Sequence, residues 1–519
     1  MASGPLAART LPELVRASAE SYPAREAVVD GNVRLEFAAL AGEIDRFARA
    51  LAGQGVGPGD RVAVWAPNSW RWVVAALGAV SAGAVLVPMN TRYKGPEAGY
   101  VLGRARVRAL VTEDGFLNTG YVGLLDGEEL PVLSTVVCIG PVPESAHRPV
   151  LGWDGFLEGP PGPLPGGVDA GDVSDIIFTS GTTGQPKGAM LTHRQTLGMY
   201  TAWSELAGLC EGDRYLVLNP FSHTFGYKAG ILACLLRGAT ILPQPVFDVD
   251  AALALVQRER VTVLPGPPTL YSSILDHPRR AEYDLSSLRV AVTGATTVPV
   301  VLIERMHQEL ALERVLTAYG LTESCGMVTM CRPGDDAVTV ATTSGRAVDG
   351  VEVRIAGSDG GSLLAGEPGE VLVRGYNVMR GYFEDEAATR EAVDADGWLH
   401  TGDVGVLDER GNLRITDRIK DMYIVGGLNA YPAEIEQVLA RHPAVAEVAV
   451  IGVPDGRLGE VGRAFVVVRP GAETDEDELI AFCRERMANY KVPRSVVLLG
   501  ALPRNAVGKV VKPVLRGRA

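Results

Sequence analysis

Short Val/Ile/Leu runs alternate with helical patterns through most of the first four hundred residues, which is the signature of α/β layering. Arg61 to Trp65, Ala84 to Val87 and Tyr215 to Leu218 are predicted strands of this kind. Val73 to Met89 (VVAALGAVSAGAVLVPM) is apolar for almost a membrane span, but Ser81 and Gly83 interrupt it and Pro88 closes it. The pattern predicts a helix, a turn and a short buried strand. Ile176 to Phe178 reads as another buried strand, leading into a loop. Between Gly140 and Asp172 the composition shifts to Pro and Gly, predicting an exposed connection. Farther on, Pro432 to Ala440 and Asp475 to Met487 predict helices, and Ala446 to Val453 and Arg463 to Val468 predict strands. These form a small α+β unit of about a hundred residues, compact enough to move as a body.

A chain of 519 residues is too long for one core and suits a large compound domain with a smaller partner. The formal net charge of −13 argues against general binding to nucleic acid or anionic membrane, because both need broad basic surfaces. Six scattered cysteines (138, 210, 234, 325, 331 and 483) form no C-x-x-C pair. No signal-peptide core is visible at the N-terminus, and a reducing cytoplasm with free thiols is the expected setting.

The candidate chemistry begins where the strand at Ile176 ends. Thr179, Ser180, Thr182 and Thr183 alternate with Gly181, Gly184 and Gly188, and Lys187 stands near the end. Such a loop lets backbone N–H groups approach an anion, with hydroxyls and a compact cation as further donors. It suits a polyphosphate but is not the Walker pattern, because Lys187 is followed by glycine.

TSGTTGQPKG resembles the phosphate loop of the adenylate-forming superfamily of acyl-CoA synthetases, peptide-synthetase adenylation domains and luciferases. Four more motifs follow in that family's order: AYGLTE from Ala318, GWLHTGD from Gly397, TDRIKDMYIVGGLNAYPAEIE from Thr416, and PRNAVGK from Pro503. The resemblance implies an α/β fold, with a large compound N-terminal domain of layered sheets and helices over 1–416. It also implies a hinge at 417–421 and a small mobile α+β domain over 422–519. Two half-reactions are implied, first an acyl-adenylate from ATP and an acid, then a thioester with CoA.

The roles carry over residue by residue. Lys509, Glu323 and Thr179 are the expected catalytic set, with Glu323 the Mg²⁺ ligand. ATP and AMP are expected on Thr179, Ser180, Gly181, Thr182, Thr183, Gly184 and Lys187. Gly294, Ala295, Ala318, Tyr319, Gly320 and Thr322 would flank the adenine, and Asp403 and Arg418 the ribose. Lys420 is the expected pivot, and Gly426, Gly427 and Asn429 line the expected path of the CoA arm. The acyl pocket is expected around His223, Phe225, Gly226, Lys228, Gly320 and Cys325. His223 and Thr224 stand where amino-acid-activating relatives carry an aspartate, which favours a simple carboxylic acid. Ser222 replaces an aromatic residue usual before that histidine, so a wider pocket mouth is expected. NPFSHTFGYKAGILACL and LPGPPTLYSSILDHP are similar to the acyl-CoA synthetases that act on a methylhexahydroindanedione propionate from bacterial steroid breakdown. Lys228 would lie near a ketone of that acid. A medium-chain fatty or aryl acid, or loading of a carrier protein, is the alternative. A homodimer is a family-level expectation.

Overall fold

The apolar stretch from Val73 resolves into two elements, helix Trp70–Ser81 and strand Val85–Pro88. Ser69 caps the helix by accepting the Trp72 N–H at 3.2 Å. Gly83, at φ +79°, makes the reversal between them, a backbone conformation cheap only for glycine. All four strand residues are buried, as expected of a parallel strand covered on both faces. Among the described residues no helix is long and apolar enough to cross a membrane. The computed structural model describes residues 4–144, 148–179, 186–294, 298–418, 421–425, 428–487, 489–504 and 510–517, with backbone only for 418, 428 and 429.

The chain divides into two compact units, the first comprising Met1–Glu352 with Val373–Leu399 and the second Val353–Leu372 with His400–Ala519. In the first, an eight-stranded sheet runs Gly381–Tyr382, Lys187–Thr192, Val173–Thr179, Val85–Pro88, Arg61–Trp65, Val107–Thr112, Thr135–Cys138, Leu151–Gly152. Its strands are parallel except for the pairings made by Lys187–Thr192. The other strands of this unit include the parallel pair Val290–Gly294 and Arg314–Tyr319. Helices such as Phe37–Gly53 and Trp70–Ser81 supply the crossovers that parallel pairing requires.

The Pro/Gly-rich region differs from the expected bare connection. It contains strand Leu151–Gly152 and helix Trp153–Leu157, with Trp153 and Phe156 buried against Phe47. Gly162 donates to the Arg49 carbonyl at 2.8 Å, so part of the GPPGPLPGG run is packed onto helix Phe37–Gly53. Two aromatic anchors outweigh the loop-like composition around them.

A sheet of Val351–Ala356, Gly369–Gly375, Leu399–Leu407 and Leu413–Arg418 has most of its residues in the second unit, which also holds a five-stranded sheet built on the long hairpin Val445–Asp455 and Gly459–Val468. Alternation along that hairpin builds two cores. Val450, Ala464 and Val466 pack with Ile435, Leu439 and Leu479 from helices Pro432–Leu439 and Glu476–Arg484. Ile451, Val453 and Phe465 pack on the other face with Leu502 and Leu515. The predicted helices and strands of this region are all present, the strands longer than their apolar runs.

Candidate active site

In the first unit, Thr179 and Lys187 are the last paired residues of an antiparallel hairpin, so the loop expected to hold phosphates is closed at its base by backbone pairing. Gly188 has a steric reason: a Cβ there would meet Ile176 Cγ2 at 2.7 Å. Ser180, Gly181, Thr182, Thr183 and Gly184 lie outside the described residues. The parallel strands Val290–Gly294 and Arg314–Tyr319 end side by side with Gly294 paired to Ala318. Gly294, Ala318 and Tyr319 therefore stand at the carboxyl ends of parallel strands, where α/β sheets bind ligands. Ala295 is outside the described residues.

Past Tyr319 the chain turns through Gly320 into the short helix Thr322–Ser324, stapled by Ser324 Oγ, which accepts the Leu321 N–H at 2.9 Å and donates to the Leu321 carbonyl at 3.0 Å. This presents the Glu323 carboxylate beside the hairpin. Thr179 Oγ1 lies 3.3 Å from Glu323 Oε1, and the Tyr382 hydroxyl donates to the same oxygen at 2.9 Å. Lys187 Nζ sits 5.3 Å from the centre of the Tyr382 ring. The Met379 N–H donates to the Glu323 carbonyl at 2.8 Å, and buried Asn377 donates to the Met327 carbonyl at 2.9 Å. Sequence reasoning did not single out Tyr382 or Asn377. The pairing of Gly381–Tyr382 with Met190 and Ala189 brings Tyr382 in, and two residues give little strand signal.

The segment from Asn219, expected to line the acyl pocket, is held by Asn68, which was unforeseen: its side chain donates to the Asn219 carbonyl at 2.9 Å and accepts the Phe221 N–H at 2.7 Å. His223 is open to solvent, and its Nδ1 accepts the Phe225 N–H at 3.3 Å. Phe225–Leu232 is π-helical, and Gly226 is required because a Cβ would run into the Asn219 and Pro220 backbone. Lys228 lies in this segment fully buried, with Asp175 Oδ1 at 2.8 Å, Thr196 Oγ1 at 2.9 Å and Cys325 Sγ at 3.8 Å. Thr196 and Cys325 accept hydrogen bonds from the ammonium and Asp175 pairs with its charge, so Lys228 is engaged within the protein. Burial pushes the Cys325 thiol up, the opposite of a nucleophile.

In the second unit, Asp403 is buried and directly opposite Arg418 in the antiparallel pairing of Leu399–Leu407 with Leu413–Arg418. Two residues fifteen apart in sequence are thereby neighbours across one ladder. Thr401 Oγ1 accepts the Asp403 N–H at 3.1 Å and donates to the Val371 carbonyl at 2.7 Å, fixing the strand end. Asp417 accepts the Ala433 N–H at 2.9 Å at the start of helix Pro432–Leu439. Asn429 pairs with Ile424 through the backbone. Lys420, Gly426, Gly427 and Lys509 are outside the described residues.

The hydroxyls of Thr179 and Tyr382, the Lys187 ammonium and the Glu323 carboxylate, gathered at strand ends, have the chemistry to hold a nucleotide polyphosphate with its cation. The chain belongs to the AMP-binding enzyme family, whose pattern matches residues 15–383, with the AMP-binding enzyme C-terminal domain at 434–509. It is 54% identical over 516 residues to the 3-[(3aS,4S,7aS)-7a-methyl-1,5-dioxo-octahydro-1H-inden-4-yl]propanoyl:CoA ligase of Rhodococcus jostii, covering 98% of each chain. The ligase of the same name from Mycobacterium tuberculosis is 54% identical over 514 residues, again covering 98% of each. Among solved structures, the anthranilate CoA ligase AuaEII in complex with anthranoyl-AMP superposes with a TM-score of 0.89 at 29% identity, covering 98% of this chain and 97% of that one.

Proposed function

We propose that this chain is the ATP-dependent CoA ligase of the indanedione propionate named for its two 54%-identical relatives. That identity, sustained over 98% of both chains, is the observation that carries the substrate. The acid's carboxylate attacks the α-phosphorus of ATP to give acyl-adenylate and diphosphate. The CoA thiolate then attacks the acyl carbon, forming the thioester and releasing AMP.

Most of the catalytic work is positioning and electrostatics. The loop from Thr179 to Lys187 holds the phosphates. Tyr319 lies against adenine, and Asp403 with Arg418 takes the ribose. Lys509 offsets charge at the α-phosphate during adenylation. The segment 417–421 is the hinge, with Lys420 its pivot. The domain that follows swings to admit CoA past Gly426, Gly427 and Asn429. His223, Phe225, Gly226, Gly320 and Cys325 shape the acyl wall, and Lys228 braces it from behind. A cytoplasmic setting fits its scattered free cysteines, and the homodimer is a family-level expectation.

Among the described residues no three His, Cys, Asp or Glu side chains cluster as a metal cage. One carboxylate at a phosphate loop fits Mg²⁺, which binds through one or two carboxylates and substrate phosphates. Glu323 would hold the ion, whose chemistry is to offset phosphate charge.

The test is CoA-dependent AMP release with the indanedione propionate, octanoate, palmitate, benzoate and an amino acid. Selective turnover of the indanedione acid is expected. Preference for octanoate or benzoate would overturn the substrate and keep the mechanism. Thioester formed only on a phosphopantetheinylated carrier would overturn CoA as the acceptor.

A further inference from the structure

Glu323 receives two hydroxyl donors, and both meet Oε1. Thr179 is the longer contact at 3.3 Å and Tyr382 the shorter at 2.9 Å. Among the described residues no donor reaches Oε2. A carboxylate held by one oxygen, with no donor from the described residues on the other, can present that second oxygen to a cation. Tyr382 is itself fixed on two sides. Its backbone pairs with Ala189, and its N–H donates to Thr389 Oγ1 at 2.9 Å.

We propose that Tyr382 is a positioning residue for the divalent cation, turning the Glu323 carboxylate so that Oε2 is presented to the metal–nucleotide site. The inference rests on Glu323 as the metal ligand. Hydrogen bonds of this outer kind orient ligands and tune their affinity. The same ring lies beside Lys187, so one side chain sets the spacing between the loop cation and the metal carboxylate.

Tyr382→Phe removes the hydroxyl and keeps the ring beside Lys187. Mn²⁺ binding to the full-length enzyme with a non-hydrolysable ATP analogue, read by electron paramagnetic resonance, separates the two ideas. Tyr382→Phe is expected to weaken bound Mn²⁺ by roughly ten- to a hundredfold. Its thermal midpoint and KM for the acid should be unchanged, and excess Mg²⁺ should restore kcat. Glu323→Gln is expected to lose the bound signal. Wild-type Mn²⁺ affinity in Glu323→Gln would refute the ligand assignment on which the proposal stands. Loss in Glu323→Gln with wild-type affinity in Tyr382→Phe would overturn the role of Tyr382 alone. Should Tyr382→Phe fold poorly, Tyr382→Met also removes the hydroxyl donor, with a flexible side chain to fill the space. A comparable loss of bound Mn²⁺ there supports Tyr382 as the orienting donor, and wild-type affinity overturns it.

Discussion

Lys228 Nζ lies 2.8 Å from Asp175 Oδ1, and both side chains are completely buried. Ser174 donates to the other Asp175 oxygen at 2.7 Å, so strand Val173–Thr179 and the π-helical segment are joined through one ion pair. Taking two charges out of water is costly, and removing one partner leaves the other uncompensated. Lys228→Met is therefore expected to lower stability by about 3–5 kcal/mol, measured by urea unfolding. Lys228→Met with Asp175→Leu should recover most of that loss. A double variant as unstable as the single one would show that the pair is not the source.

Stability should also depend on His193. Its Nδ1 accepts the Leu11 N–H at 3.2 Å, and burial pulls its pKa down to about 4, against the nearby Asp175 and Asp172 that favour the charged ring. As pH falls below about 6.5, the unfolded chain takes up a proton that the folded chain refuses until about pH 4. The contribution is thus complete above pH 6.5 and is lost through that window, by roughly 3 kcal/mol in all. His193→Asn keeps an acceptor and removes the titration. Its unfolding midpoint should fall less than wild type between pH 7 and 4, and parallel pH profiles would refute the assignment.

The two half-reactions should separate by mutation in the C-terminal segment. Lys509→Ala is expected to abolish adenylate formation, read by ATP–diphosphate exchange, while CoA transfer from preformed adenylate proceeds. Equal loss of both would remove Lys509 from the adenylation step.

Lys420→Pro fixes one backbone dihedral at the proposed pivot. It should slow thioester formation more than adenylation in single-turnover assays. Wild-type rates for both would place the pivot elsewhere.

Local patterns carried a great deal of this molecule. Ser81, Gly83 and Pro88 punctuate one apolar run so plainly that helix and strand were legible, and the alternation at 445–468 matches its two packed faces. Glu323 and Asp403 could be singled out as candidates because their motifs are contiguous. What escaped is non-local. Tyr382, Asn377 and Asn68 reach the site from separate segments, and single polar residues in unremarkable contexts carry no spacing signal. Lys228 was a candidate for the acyl pocket and was not foreseen as half of an ion pair, because Asp175 sits inside an apolar strand and faces a helix distant in sequence.

Gly320 joins the strand that ends at Tyr319 to the turn that carries Glu323. A Cβ at this position would lie 2.4 Å from the Gly326 carbonyl oxygen and 2.5 Å from Met327 Cα. These are backbone atoms and cannot rotate aside. Gly320→Ala must therefore push the Leu321–Gly326 turn outward, although the Leu321 carbonyl accepts the Gly326 N–H at 2.8 Å and Asn377 holds the Met327 carbonyl. The displaced turn takes Glu323 away from Thr179 and Tyr382. The expected result is a loss of adenylation of at least about a hundredfold, since an ångström of misplacement costs that much where catalysis is positioning. Tyr319 moves with the same turn, so the KM for ATP should rise as well. Wild-type ATP–diphosphate exchange in Gly320→Ala would mean that the turn yields without moving its carboxylate.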